Sequence, residues 1–130
     1  MQTKEQTRAK TIFGFIEKAE QSPRKEFYGR LCLRLTFLIR ANGLCQTLAF
    51  LESKASEKKT EFKQLIADLA KVSCGKPGNE YGSLARSADS QDYLQMTREA
   101  LACAQWFKRY AEGVLKVNVV DAANSDEDAG

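Results

Sequence analysis

Apolar residues recur along most of this chain at spacings of three and four, the period of helices that bury one face. Residues 3–20 carry Ala9, Ile12, Phe13, Ile16 and Ala19 in one stripe, with Lys4, Arg8, Thr11, Phe15 and Lys18 on another side. Gly14 interrupts this helix at a cost of roughly 1 kcal/mol relative to Ala. Ser22-Pro23 ends it, and Pro23 suits the start of the next helix. Residues 24–42 form a second pattern on Phe27, Leu31, Leu35 and Leu38, widened by Tyr28, Cys32 and Ile39. A stripe that broad predicts packing on more than one neighbour.

The second helix stops at Asn42-Gly43, where Gly can take positive φ without steric cost. Gly43 reads as the left-handed residue past a helix end, with Leu44 folding back on Leu38 or Ile39. A third helix begins at once. Leu44, Leu48, Leu51 and Ala55 share one stripe; Gln46, Thr47, Phe50, Ser53 and Lys54 lie on a different side. Phe50 either packs on a second neighbouring helix or faces a partner chain or a nucleic-acid strand.

A polar stretch, residues 55–60, leads to a helix over residues 61–72 capped by Thr60, with Phe62, Leu65, Ile66, Leu69 and Val72 as its stripe. Residues 74–79 read as a loop. Gly75-Lys76 is not a phosphate-binding loop, because Ala70 holds the place of the required earlier glycine and Pro77 follows the lysine. Residues 80–86 suit a short turn of helix, and residues 87–90 offer capping side chains. A long last helix is expected over residues 91–117, with Tyr93, Met96, Ala100, Cys103, Ala104, Phe107, Ala111 and Val114 inward. Arg98, Gln105, Arg109 and Lys116 lie opposite, with Lys108 at one edge and Trp106 near the polar face. Alternating strand patterns are absent except for the short run 117–120. The expected fold is all-α: a compact single-domain bundle of five to six helices over residues 1–120, then an acidic, disordered tail over 121–130.

Composition narrows the chemistry. The 130 residues contain no histidine, which removes the usual base, proton shuttle and imidazole ligand. Cys32, Cys45, Cys74 and Cys103 are far apart with no C-x-x-C pair, which disfavours a zinc site. No acidic cluster recommends a metal, and neither catalytic residues nor a cofactor are expected. No apolar run approaches the roughly 20 residues of a membrane span. The N-terminus lacks a signal-peptide core, so a cytoplasmic protein is expected.

Charge is segregated. Residues 121–130 hold four acids and no base, which leaves 20 basic against 13 acidic groups, a net of +7, on residues 1–120. Basic residues also recur beside aromatics: Lys4, Arg8 and Phe15; Arg30 and Arg34; Phe50 and Lys54; Trp106, Lys108 and Arg109. Solvated helix faces look like this individually. Several on one small domain suit a groove for single-stranded nucleic acid. A protein-only adaptor docking on partner subunits is the alternative, with Phe15, Phe50 and Trp106 as anchors.

The stretch Asn42-Gly43-Leu44, Gln46-Thr47-Leu48-Ala49-Phe50-Leu51 and Ser53-Lys54 resembles the signature of the small helical subunit of the type III-B CRISPR effector, the Cmr complex. Gln6-Thr7-Arg8-Ala9 resembles that family's opening helix, and Thr97-Arg98-Glu99-Ala100-Leu101 with Trp106-Phe107-Lys108-Arg109-Tyr110-Ala111 its closing helix. The resemblance implies a non-catalytic subunit of an RNA-targeting ribonucleoprotein in antiviral defence, stacked as a minor filament with other Cmr subunits and further copies of itself. It implies guide and target RNA as partners, and neither membrane nor small-molecule substrate. In such a machine base pairing carries specificity and protein contacts go to backbone and shape. On that basis Arg8, Lys10, Arg30, Arg34, Lys54, Arg98, Lys108 and Arg109 are the candidate RNA contacts. Gln46, Phe50, Ser53 and Trp106 are the candidate partner interface.

Overall fold

A computed structural model describes residues 1–57 and 60–118. Six helices follow one another: α1 (Lys4–Glu20), α2 (Lys25–Asn42), α3 (Leu44–Ala55), α4 (Thr60–Cys74), α5 (Gly78–Ser87) and α6 (Ser90–Gly113). No strand occurs among the described residues. The acidic segment 121–130 lies outside them.

Each helix starts and stops for a local reason. Thr3 caps α1 with a full capping box: its hydroxyl accepts from the Gln6 amide at 3.0 Å, and the Gln6 side chain accepts from the Thr3 amide at 2.8 Å. Asp89 caps α6 by accepting from the Asp92 amide at 2.8 Å. Thr60, expected as a cap, is instead the first described residue of α4. Gly43 joins α2 to α3 alone, at φ 86 and ψ 164. Its φ is positive as expected, but its ψ is extended rather than left-handed helical, a combination open essentially to glycine. Its amide closes α2 on the Ile39 carbonyl at 2.8 Å, and its carbonyl accepts the first bond of α3 from the Thr47 amide at 3.1 Å.

The core is made of the expected stripes, drawn together around α4, which touches every other helix, and α2, whose most extensive partner is α6. Ile12, Leu35, Leu48, Phe62, Leu69 and Phe107 are among its fully buried side chains. Small residues let α6 approach closely: Ala100, Cys103, Ala104 and Ala111 are all at 0% exposure.

Several details differ from the sequence reading. The loop after α4 is shorter, because Gly78 and Asn79 already belong to α5, which has 10 residues. The last helix ends at Gly113 instead of running to Val117. Beyond it, Lys116 takes φ 63, and Leu115 and Val117 fold back into the core. Gly29 of α2 makes that return possible, since a β-carbon there would meet the Val117 methyls at 3.0 and 3.1 Å. Thr47 faces the core rather than the polar side of α3; its hydroxyl is satisfied by the Gly43 carbonyl at 2.8 Å. Phe13 shares the α1 stripe in sequence but stays 39% exposed, packed edge-on against Tyr110.

Candidate nucleic-acid interface

The basic–aromatic pairs sort into two separate surfaces. On the first, α2, α3 and α4 each contribute a phenylalanine to one seam. Phe27 and Phe50 both meet Phe62 edge-to-face, at 5.7 and 6.1 Å between ring centroids. Above Phe50 lie the Arg34 guanidinium at 6.0 Å and the Lys54 ammonium at 5.9 Å. Above Phe27 lie Arg24 at 4.6 Å and Arg30 at 5.6 Å. Helical spacing builds this directly: Arg24, Phe27, Arg30 and Arg34 follow one another at three, three and four residues, and Phe50 and Lys54 at four. Each such contact is worth about 0.5–1 kcal/mol near the surface. Its larger consequence is to hold cations in place on a ring that is itself fixed by the core. Two carboxylates temper the patch: Glu61 takes Arg24 at 3.3 Å, and Glu57 takes Lys54 at 3.8 Å.

Phe50 is half-buried, packed on the core, where its ring meets Phe62, and carrying two cations. Gln46 and Ser53 are exposed on the same helix. Arg24 belongs to the seam although the sequence reading did not single it out. Its spacing of three from Phe27 was the available signal.

The second surface is an open groove of about 480 Å³ between α1 and α6, lined by Glu5, Arg8, Ala102, Gln105, Trp106 and Arg109. Trp106 is half-buried and packs on Tyr110 at 5.5 Å. Arg8 and Arg109 meet here from different helices. Arg8 is committed to Glu99: its Nε donates to Oε2 at 2.6 Å and its Nη2 to Oε1 at 2.7 Å. The Arg8 hydrogen bonds hold the Glu99 carboxyl below its usual range. Arg8 thus orders the groove wall while its charge is met inside the protein. Lys108 is half-buried beside this region in sequence, and Arg109 is exposed. Lys10 and Arg98 are exposed on their helices, and neither joins the seam or the groove lining.

Cys32 and Cys103 are buried, and desolvation followed by the nearby Glu99 charge pushes the Cys103 thiol up to about 12. No group of three histidine, cysteine or acidic side chains among the described residues is placed to hold a metal ion. No helix among them is long and apolar enough to cross a membrane.

The chain is similar to known proteins in sequence and in fold. A family profile described as CRISPR-associated protein (Cas_Cmr5) matches residues 4–114. A "CRISPR system Cmr subunit Cmr5" from Thermus thermophilus is 35% identical over 116 residues, covering 89% of this chain and 99% of the relative. The crystal structure of a CRISPR-associated Cmr5 family protein from the same species superposes with a TM-score of 0.82 at 36% identity, covering 88% of this chain and 99% of that one.

Proposed function

The chain belongs to the CRISPR-associated Cmr5 family, and from that premise we propose that it is a small, non-catalytic subunit of a cytoplasmic Cmr effector ribonucleoprotein. In this reading it stacks beside further copies and other Cmr subunits, and its basic helix faces meet the target RNA held opposite the guide. The observation that carries the RNA contact is the seating of Arg34 and Lys54 together over the half-buried Phe50. Cations held at fixed places can meet successive phosphates with little ordering cost, whereas a freely rotating lysine loses rotamer entropy on binding. Arg30 extends the seam, Arg109 contributes from the separate α1–α6 groove that Arg8 orders through Glu99, and Lys10, Arg98 and Lys108 are proposed as further contacts outside both. Gln46, Phe50, Ser53 and Trp106 are proposed to sit where a neighbouring subunit approaches.

Reversal of Lys54, Lys108 and Arg109 to Glu in the reconstituted complex tests this. Target RNA should bind more weakly. The dependence of log affinity on log salt should flatten by about two, from roughly 0.7 for each phosphate no longer neutralised. Unchanged affinity with an unchanged slope would overturn the assignment.

A protein-only docking role is favoured by one observation, the 68% exposure of Phe37 and 49% exposure of Leu94. Phe37→Ser should then remove the chain from the assembly while leaving its isolated fold intact. On the RNA reading alone, that variant would be incorporated normally.

A further inference from the structure

A cleft of about 630 Å³, with α1 on one side and α4 on the other, borders the Phe27 end of the seam at Arg24 and Glu61 and shares no residue with the α1–α6 groove. Phe15 and Lys18 line it from α1, Tyr28 from α2, and Gln64, Asp68 and Lys71 from α4. Asp68 is the unusual member. It is only 7% exposed, and its helix neighbours Leu65, Ile66, Leu69 and Ala70 are all core residues. Its Oδ2 accepts from the Tyr28 hydroxyl at 2.7 Å and its Oδ1 from the Gln64 amide at 2.8 Å.

Both of those donors are neutral. Lys18 and Lys71 act on Asp68 through space, and desolvation raises its pKa despite them. A buried carboxylate without a direct cation is costly to keep. When it lines a cleft, it marks a candidate site. A carboxylate offers about four lone-pair directions. Tyr28 and Gln64 take one on each oxygen, which leaves acceptor capacity on both oxygens.

Charge selects among ligands. A purely cationic ligand meets Lys18 and Lys71; a purely anionic one meets Asp68. Arg24 and Glu61, at another part of the lining, are already paired to each other. The ligand that fits has two adjacent neutral N–H donors at one end and an anion at the other. Guanine presents such a pair, N1–H and N2–H. Adenine, cytosine and uracil each place an acceptor beside their donor, which a carboxylate repels. We propose that this cleft takes an unpaired guanine nucleotide of an RNA strand, its Watson–Crick edge on Asp68 and its phosphate at Lys18 or Lys71. The ring lies in the part of the cleft lined by Phe15. This rests on the reading that the chain meets RNA, but it uses none of the cations tested above.

The test is titration of the full chain, followed by backbone amide chemical shifts, with GMP, IMP, AMP, UMP and inorganic phosphate. GMP should give saturating shifts at Ala19, Gln64 and Lys71, and bind about tenfold more tightly than IMP or AMP, the scale of one bidentate base contact. A short oligouridine with one central guanine should bind more tightly than GMP. Asp68→Asn should abolish the preference for GMP. Lys63→Ala, at an exposed position of α4 outside the cleft lining, should keep it. Should Asp68→Asn fail to fold, the GMP-to-IMP ratio of the unaltered chain decides alone. Equal shifts from every nucleotide and phosphate, or no saturable shift, would overturn the proposal. The Lys54, Lys108 and Arg109 reversals should leave the GMP shifts unchanged, so this site and the RNA-facing surface fail separately.

Discussion

Arg8 and Glu99, 91 residues apart, tie the first helix to the last through two parallel hydrogen bonds of 2.6 and 2.7 Å. Both side chains are mostly covered, at 19% and 17% exposure. Charge-assisted bonds of this kind are stronger than neutral ones, and removing one partner leaves the other's charge poorly solvated. Arg8→Ala is expected to destabilise the protein by about 2 kcal/mol, after allowance for residual solvent at the pair. Arg8→Lys keeps the charge but not the two-pronged geometry, and should recover only part of that loss. Denaturant midpoints should shift with an unchanged slope.

Two carboxylates give opposing pH dependence. Arg8 lowers the pKa of Glu99, so Glu99 contributes stability that is fully present above the ordinary carboxylate range and is lost as pH falls through its lowered folded value. Burial raises Asp68, against the hydrogen bonds from Tyr28 and Gln64 and the charges of Lys18 and Lys71. Its contribution is present below the ordinary range and is lost as pH rises through its raised folded value. Asp68→Asn should therefore steepen the loss of stability on acidification, and Glu99→Gln should flatten it. Denaturation midpoints over a pH series settle both; parallel curves for all three proteins would contradict this assignment.

The legible part of the molecule was the part set by local rules. Period and caps place the helices, because a stripe such as Phe62, Leu65, Ile66 and Leu69 has one way to be buried. The clustering of Arg34, Phe50 and Lys54 was only half legible: four-residue spacing joins Phe50 to Lys54, but Arg34 arrives from another helix. Arg8 read as a surface cation because its partner lies 91 residues away. Thr47 read as polar surface because a threonine hydroxyl can be satisfied by its own helix, through the Gly43 carbonyl, and then be buried. Asp68 gave no signal, since one acid on an apolar stripe resembles a solvated edge until Tyr28 is seen above it. The end of α6 was misplaced because residues 114–117 keep helix-like apolar spacing, while their burial depends on the gap left at Gly29.

That gap can be measured against a second glycine. Gly14 lies within α1, is exposed, and has nothing within 4 Å of a built β-carbon. Gly14→Ala should stabilise by about 0.5–1 kcal/mol through backbone entropy and helix propensity. Gly29 occupies an equally helical position, but its β-carbon would press on Val117 at 3.0 Å and Leu115 at 3.3 Å. Gly29→Ala should gain less than Gly14→Ala, and Gly29→Val should destabilise and expose residues 115–118 to proteolysis. Equal gains at both positions would mean that the return of the chain onto α2 contributes nothing.

Phe50 separates packing from RNA contact. Its ring meets Phe62 at 6.1 Å on the core side and supports Arg34 and Lys54 on the other. Phe50→Leu retains most of the apolar volume but removes the ring quadrupole that attracts both cations. It should cost about 1 kcal/mol or less in stability, the usual scale for a swap of similar size. If the ring merely fills space, target RNA should bind the reconstituted complex as before. If the ring fixes the cations, affinity should fall by severalfold, because more of the ordering of Arg34 and Lys54 is then left to the RNA. Lys54→Glu separates the cases further, since it leaves Phe50 on Phe62 and should lower RNA affinity, at a stability cost of about 1 kcal/mol from the lost ring contact and the lost Glu57 pair. A variant pair in which Phe50→Leu lowers stability but leaves RNA affinity intact, while Lys54→Glu leaves it intact as well, would reduce this surface to packing alone.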